Sequence, residues 1–390
     1  MGLLASRGAL ADAEDTFNIV PGVSVTHDDN FNRGPSSLAA SDDITTSSLA
    51  FKLNKAYSLQ RFELEASYVE QRYKTYSQNN YDATPYKAAW HWSLTPYLHG
   101  KLSADSVKMP FNDYADDPNS LSGSRTTRNL TTIENTRFDA VLDLNPSWHL
   151  LGGVSDYTKK YSEITTGNLN SNTTRAEAGI RYTTSSGNTL SYILHSGRGE
   201  YFDLPLALSP FKNTAPFDDV ENELRLQWLL TAKTSLNAVL FHLQRKYTDA
   251  SIGDFDFSGN GGNIGMNWAI TAKTSLSATI SRQLSAYTAS DASYTRTDRF
   301  ALASSWKTSA KTALRASLAY SLRDYLGSPL GTNSGRTDTL RSGMLSFEWQ
   351  ALRNATLAAS LQTEKQTSTN TLVDLDYDRN RVSVTADIAF

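Results

Sequence analysis

Apolar and polar residues alternate with a period of two along almost the whole chain, and no segment shows a convincing helical period. Leu224, Leu226, Trp228 and Leu230 share one parity, while Glu221, Glu223, Arg225 and Gln227 share the other. Such a segment is a strand with one apolar face and one wet face. The pattern returns in Phe138, Ala140, Leu142 and Leu144 against Arg137, Asp139 and Asp143. It returns again in Leu314, Ala316, Leu318, Tyr320 and Leu322 against Arg315, Ser317 and Arg323, and in Val382, Val384, Ala386, Ile388 and Phe390 against Arg381, Ser383, Thr385 and Asp387.

The connections alternate too. Short turns fall at 55–58, 95–96, 145–147, 185–188, 231–235, 271–275, 308–312 and 350–354. Longer polar loops fall at 27–43, 72–84, 106–129, 160–173, 199–219, 248–260, 288–296, 325–338 and 365–376. Eight turns and nine loops join eighteen strands, an even number that puts both ends on the short-turn side. The segment Thr231-Ala232-Lys233-Thr234-Ser235-Leu236 recurs as Thr271-Ala272-Lys273-Thr274-Ser275-Leu276, so one repeat is one hairpin plus one loop.

Mean hydropathy is −0.43, and no run approaches the roughly 20 apolar residues of a membrane helix. A closed barrel escapes that test, because its strands alternate and look hydrophilic on average. A soluble β-propeller or solenoid is the competing architecture for a β-repeat of this length. Against it, the aromatics Trp92, Tyr97, Trp148, Trp228, Trp268, Trp306 and Trp349 stand beside the short turns, where an interfacial girdle is expected, and Phe390 closes the last apolar-alternating strand. The expected fold is an all-β, antiparallel up-and-down transmembrane barrel of 18 strands, with short periplasmic turns and longer extracellular loops, in the bacterial outer membrane.

A net charge of −3 argues against nucleic acid as a partner, and the absence of cysteine excludes disulfides and Cys-ligated zinc. Small-x-small patterns at Ala9-Leu10-Ala11 and Ala11-Asp12-Ala13 read as the end of a secretory signal. Residues 1–13 are accordingly expected to be a residual signal-peptide tail and 14–390 the barrel.

The first strand carries Phe17, Ile19, Val23 and Val25, then His27-Asp28-Asp29-Asn30-Phe31-Asn32-Arg33. The last reads Tyr377-Asp378-Arg379-Asn380-Arg381-Val382-Ser383-Val384. These elements resemble the EpsL-type outer-membrane proteins of exosortase/PEP-CTERM exopolysaccharide clusters, which are similar to the wider group of β-barrel porins. Asn32 departs from that pattern, where an apolar residue is expected. The resemblance implies an outer-membrane channel that exports an extracellular polysaccharide, with periplasmic export components as partners and outer-membrane lipid around it. It supplies no catalytic residues. A general or small-solute diffusion porin is the alternative, and a hydrolase on a barrel scaffold a more distant one. The oxygen-rich Asp28-Asp29-Asn30 suits either calcium or strand-end and turn chemistry.

The chain has no G-x-S-x-G elbow, H-E-x-x-H pair, P-loop or G-x-G-x-x-G, and none of its six histidines has a recognisable spacing to a nucleophile. No enzyme, cofactor or metal site is expected, and His195-Ser196-Gly197-Arg198-Gly199 reads as a strand end entering a loop. In an eighteen-stranded barrel the polar parity lines an aqueous lumen. The candidates there are Glu221, Glu223, Arg225, Arg299, Lys307, Arg315, Arg323, Arg341 and Glu348, and from Arg299 to Arg341 these candidates are all basic. Phe111, Tyr114, Phe202, Phe211 and Phe217, in the two longest loops, are candidates for stacking on sugar faces.

Overall fold

A computed structural model describes residues 16–111, 128–164, 169–203, 216–248, 255–287, 292–327, 335–370 and 374–390. The expected signal-peptide tail lies outside the described residues. The strands are β1 (Phe17–Asp28), β2 (Asp42–Tyr57), β3 (Gln60–Tyr73), β4 (Tyr81–Ala83 and Tyr86–Thr95), β5 (Leu98–Pro110), β6 (Leu130–Asp143), β7 (Trp148–Tyr161), β8 (Asn170–Thr183) and β9 (Thr189–Phe202). They continue as β10 (Phe217–Thr231), β11 (Thr234–Tyr247), β12 (Phe257–Ala269), β13 (Thr274–Ala286), β14 (Tyr294–Lys307), β15 (Thr312–Leu326), β16 (Thr337–Gln350), β17 (Ala355–Ser368) and β18 (Tyr377–Ile388). Strand β4 is in two pieces because Pro85 has no N–H for the ladder. Its carbonyl still accepts from Ser67, and Ala83↔Val69 and Tyr86↔Ala66 keep one register through the break.

Each strand pairs antiparallel with the next, and β1 pairs with β18 from Gly22↔Asp387 to Asp28↔Arg381, so the eighteen-stranded sheet closes on itself. Closure leaves no edge with unpaired backbone groups, as a hydrocarbon surrounding requires. At the short-turn end Ile19 and Phe390 exchange both backbone hydrogen bonds, at 3.0 and 2.9 Å, which fixes the last residue into the seam.

The eight short turns fall where the sequence places them, and their chemistry explains the repeat. Thr271 Oγ1 accepts the amides of Lys273 and Thr274 at 3.1 and 3.0 Å, and Thr231 Oγ1 accepts that of Lys233 at 3.1 Å. Thr95 and Asn145 do the same with the two or three residues after them. The recurring Thr is thus the side chain that stands in for a backbone turn. In the turn after β8 the reversal instead needs Gly187, at φ +81°.

Alternation sorts the wall into two faces. Leu224 is 43% exposed and its neighbour Glu223 7%. Leu49, Tyr68, Val154, Leu240, Ile280, Leu318, Leu361 and Val384 are likewise exposed around the outside, an apolar belt that a water-soluble surface does not tolerate. Exposed Trp148, Trp228, Trp268, Trp306 and Trp349 rim it near the short turns. Trp92 lies flat over Gly100 and stacks on Phe138 at 5.5 Å, where a Cβ on Gly100 would collide with the indole.

Candidate functional site

The inner face of the barrel is the candidate site, and it has two unlike walls. On β6 to β11 inward charges interlock. Arg137 joins Asp139 at 2.7 Å and Glu177 at 2.5 Å, and Glu177 reaches His195 Nδ1 at 3.2 Å. Asp219 holds Arg245 at 2.7 Å and Arg175 at 2.9 Å, while Arg225 holds Glu223 at 2.6 Å. The registers produce this mesh: His195 stands directly across from both Glu177 and Glu221, and Asp219 across from Arg245. Burial of these ions is tolerable because each carboxylate has a cationic partner. Towards the short-turn end Asp143 binds His149 Nδ1 at 2.5 Å and His99 Nε2 at 3.2 Å.

The next wall, on β12 and β13, is neutral and low. Its lumen face carries Gly261, Asn263, Gly265 and Asn267, then Ser275, Ser277, Thr279, Ser281 and Gln283, placed inward by pairs such as Val239↔Asn263↔Ser281. Beside it stands Arg299, across from Ser281 and Ser321, donating to the Ser321 hydroxyl at 3.4 Å. Among the described residues no carboxylate lies within ion-pair distance of Arg299, Lys307 or Arg181.

The predicted lining residues distribute over both walls. Glu221, Glu223 and Arg225 lie in the charged mesh. Arg299, Lys307, Arg315, Arg323 and Glu348 also face inward, but the expectation of an all-basic arc needs correction. Arg315 is ion-paired with Glu348, and Arg323 stands across from Asp338. Asp338 also accepts from Tyr325 at 3.0 Å and Ser368 at 2.6 Å. Just outside β16, burial opposes the charge of Arg336, yet its hydrogen bond to Asp338 prevails and holds its pKa above the ordinary arginine value.

Arg341 does not line the lumen. It pairs with Tyr320 and Lys365, in the parity of Leu345, Phe347 and Trp349, and so faces outward near the long-loop end. Strand β16 runs without a bulge, so Arg341 and Glu348, seven residues apart, must face opposite sides.

Of the loop aromatics, Tyr114 and Phe211 lie outside the described residues. Phe111 is set edge-on against Tyr161 at 5.1 Å, and Phe202 ends β9 opposite Asn170, on the outer parity. Phe217 is a strand residue, 1% exposed, under the Arg245 guanidinium at 3.7 Å and between Tyr201 and Tyr247. Its ring is consumed by the wall and has no face left for a sugar.

His195 is not at a strand end. It lies in the middle of β9, 8% exposed, while Ser196 next to it faces out. The two therefore cannot act as a nucleophile and its base. Asp219 and Arg245, missed among the candidates, were detectable: Asp219 shares the parity of Glu221, and Arg245 is its register partner.

The motifs of the first and last strands meet at the seam. Asp28, fully buried, is gripped by Arg379, and Asp29 accepts the Asn380 amide at 2.6 Å and its side-chain nitrogen at 2.9 Å. Asn30 donates to the carbonyls of Gly34 at 2.8 Å and Asp378 at 2.9 Å, and Arg33 reaches Glu364 at 2.6 Å. This strand-end chemistry ties β1 to β18 at the extracellular rim.

A family model described as "Putative beta-barrel porin 2" matches residues 228–390. No curated protein matches the sequence. Among solved structures the chain is similar to OccK2 (OpdF) of Pseudomonas aeruginosa, with TM-score 0.55 at 10% identity over 96% of this chain and 98% of that one. It is also similar to OpdK of Pseudomonas aeruginosa, solved with vanillate, with TM-score 0.52 at 12% identity over 96% and 99%. OccAB3 of Acinetobacter baumannii gives TM-score 0.53 at 11% identity over 96% and 99%. At such identities the likeness is one of fold. With the apolar outer belt, the closed sheet and the family match over the C-terminal strands, the chain is a porin-like barrel of the outer membrane.

Proposed function

We propose that the barrel is a passive channel for small solutes with a preference for anions such as small carboxylates. The observation that carries this reading is the set of lumen cations on β8 and β14 left without a carboxylate partner. Acids of the charged wall have arginine or histidine partners, whereas Arg299, Lys307 and Arg181 face the lumen without a carboxylate partner. Paired charges cancel within a few ångströms, so the unpaired cations set the potential a solute meets. The neutral wall of Gly, Asn and Ser beside Arg299 leaves room for the solute to pass it. Two solved barrels of like fold carry carboxylates in their descriptions, OpdK with vanillate and OccK2 with glucuronate.

The polysaccharide conduit implied by the resemblance is the less supported reading. Its motif residues are engaged in closing the barrel, and Phe217 of its expected glycan-stacking aromatics is buried. Liposome swelling with purified barrel separates the two. Entry of monosaccharide-sized carboxylates faster than neutral sugars of equal size supports the small-solute channel. Exclusion of these solutes together with passage of oligosaccharides overturns it.

A further inference from the structure

We propose that His195, Glu221 and Glu223 form a binding site for a divalent first-row metal ion, Zn²⁺ being the natural probe, in the lumen wall between β9 and β10. The argument begins with the imidazole. The Glu177 carboxylate lies 3.2 Å from His195 Nδ1 and orients the ring. Nε2 lies 4.0 Å from a Glu221 oxygen and 3.8 Å from a Glu223 oxygen, beyond hydrogen-bond reach of either. Nε2 is buried without a hydrogen-bond partner, and the Glu223 oxygen nearest it is Oε2, while Oε1 turns to Arg225 at 2.6 Å.

The imidazole nitrogen and the two carboxylates converge on one point, an arrangement that a bound cation would complete. One ligand atom from each lies within 4.8 Å of the others. Separations of 3.8–4.0 Å are too long for hydrogen bonds and a few tenths of an ångström above the roughly 3.3–3.6 Å between tetrahedral donors about 2.0–2.2 Å from one ion, a gap that small rotamer shifts close. The backbone presets the arrangement. Glu221 and Glu223 are two apart on β10 and share a face, and His195 on β9 is directly across from Glu221.

The surroundings complete the pattern. A histidine ligand commonly gives its other N–H to a carboxylate that orients the ring, which is the place of Glu177, itself held by Arg137 at 2.5 Å. Arg175, 4.0 Å from Glu221, and Arg225 limit the net charge of the occupied site. One nitrogen and two carboxylates suit zinc and its first-row neighbours better than calcium or magnesium, which take oxygen ligands alone. Ligands from two strands make the ion a staple across the wall.

The test uses untagged, refolded barrel in detergent, stripped with chelator and titrated with ZnCl₂ by calorimetry, with resistance to SDS unfolding as the check on folding. The expected result is one equivalent bound by the wild type and by His149→Asn, which alters the other histidine cluster. Glu221→Gln/Glu223→Gln should lose the site, and Glu177→Gln should bind 10–100-fold more weakly while keeping stoichiometry. Absence of stoichiometric Zn²⁺ in the folded wild type overturns the proposal. So does binding by the folded Glu221→Gln/Glu223→Gln variant equal to that of the wild type.

Discussion

The charged wall on β6 to β11 and the neutral wall on β12 and β13 are made by the same alternation and the same ladders, yet face the lumen with opposite strategies. In the first, Asp219 and Glu223 are buried and Glu177 is half-buried, each against an arginine. In the second, Asn263, Asn267 and Gln283 stand exposed to lumen water beside glycine and serine. The contrast teaches that density of charge is not strength of field. Interlocked ions stiffen the wall and neutralise each other, whereas one unpaired arginine next to a neutral surface acts on a solute over the Debye length, about 8 Å at physiological ionic strength.

The largest expected effect breaks the mesh. Asp219→Ala leaves two arginines facing each other in a buried site and should cost about 3–5 kcal/mol, whereas Ser281→Ala on the neutral wall should stay within about 0.5 kcal/mol. Denaturant unfolding in detergent compares them, and equal losses would mean that the mesh is not structural. Next in size is a change on the outer face, which the two walls share. Leu224→Arg behind the charged wall and Ile280→Arg behind the neutral one should each cost about 2–4 kcal/mol near the bilayer midplane. A large difference between them would place one strand outside the apolar belt.

Smaller still is a change of charge without a change of stability. Asn263→Asp puts an acid on the neutral wall and should reduce anion preference, while Glu348→Gln frees Arg315 and should increase it. Ion selectivity of the two variants in planar bilayers should move in opposite directions, and movement in the same direction would show that these positions do not face the conduction path.

Strand number, turn positions and wall parity were legible because each rests on a local rule: period two, a Thr or Asn that accepts amides two and three residues on, and tryptophan at an interface. The pairing of lumen charges was not, because register is a property of two strands. Arg315 looks unpaired until β16 brings Glu348 beside it, and Arg299 remains unpaired only because β13 and β15 offer it serines. Arg341 departs from the expected lumen face within a single strand, where counting parity from Trp349 places it outside. His195 was lost to the glycines after it, which read as a loop. Gly197 and Gly199 are strand positions instead, kept small because Arg175 and the Phe217 ring lie where their Cβ atoms would be.

The most direct test of an anion-preferring small-solute channel is the reversal potential of purified barrel in a planar bilayer under a KCl gradient, for the wild type and Arg299→Gln. The account predicts stable conductance steps and a reversal potential displaced towards that of chloride, with the displacement reduced in Arg299→Gln and diminished for both at high salt. Cation selectivity in the wild type, or anion selectivity unchanged by Arg299→Gln at low salt, would contradict it.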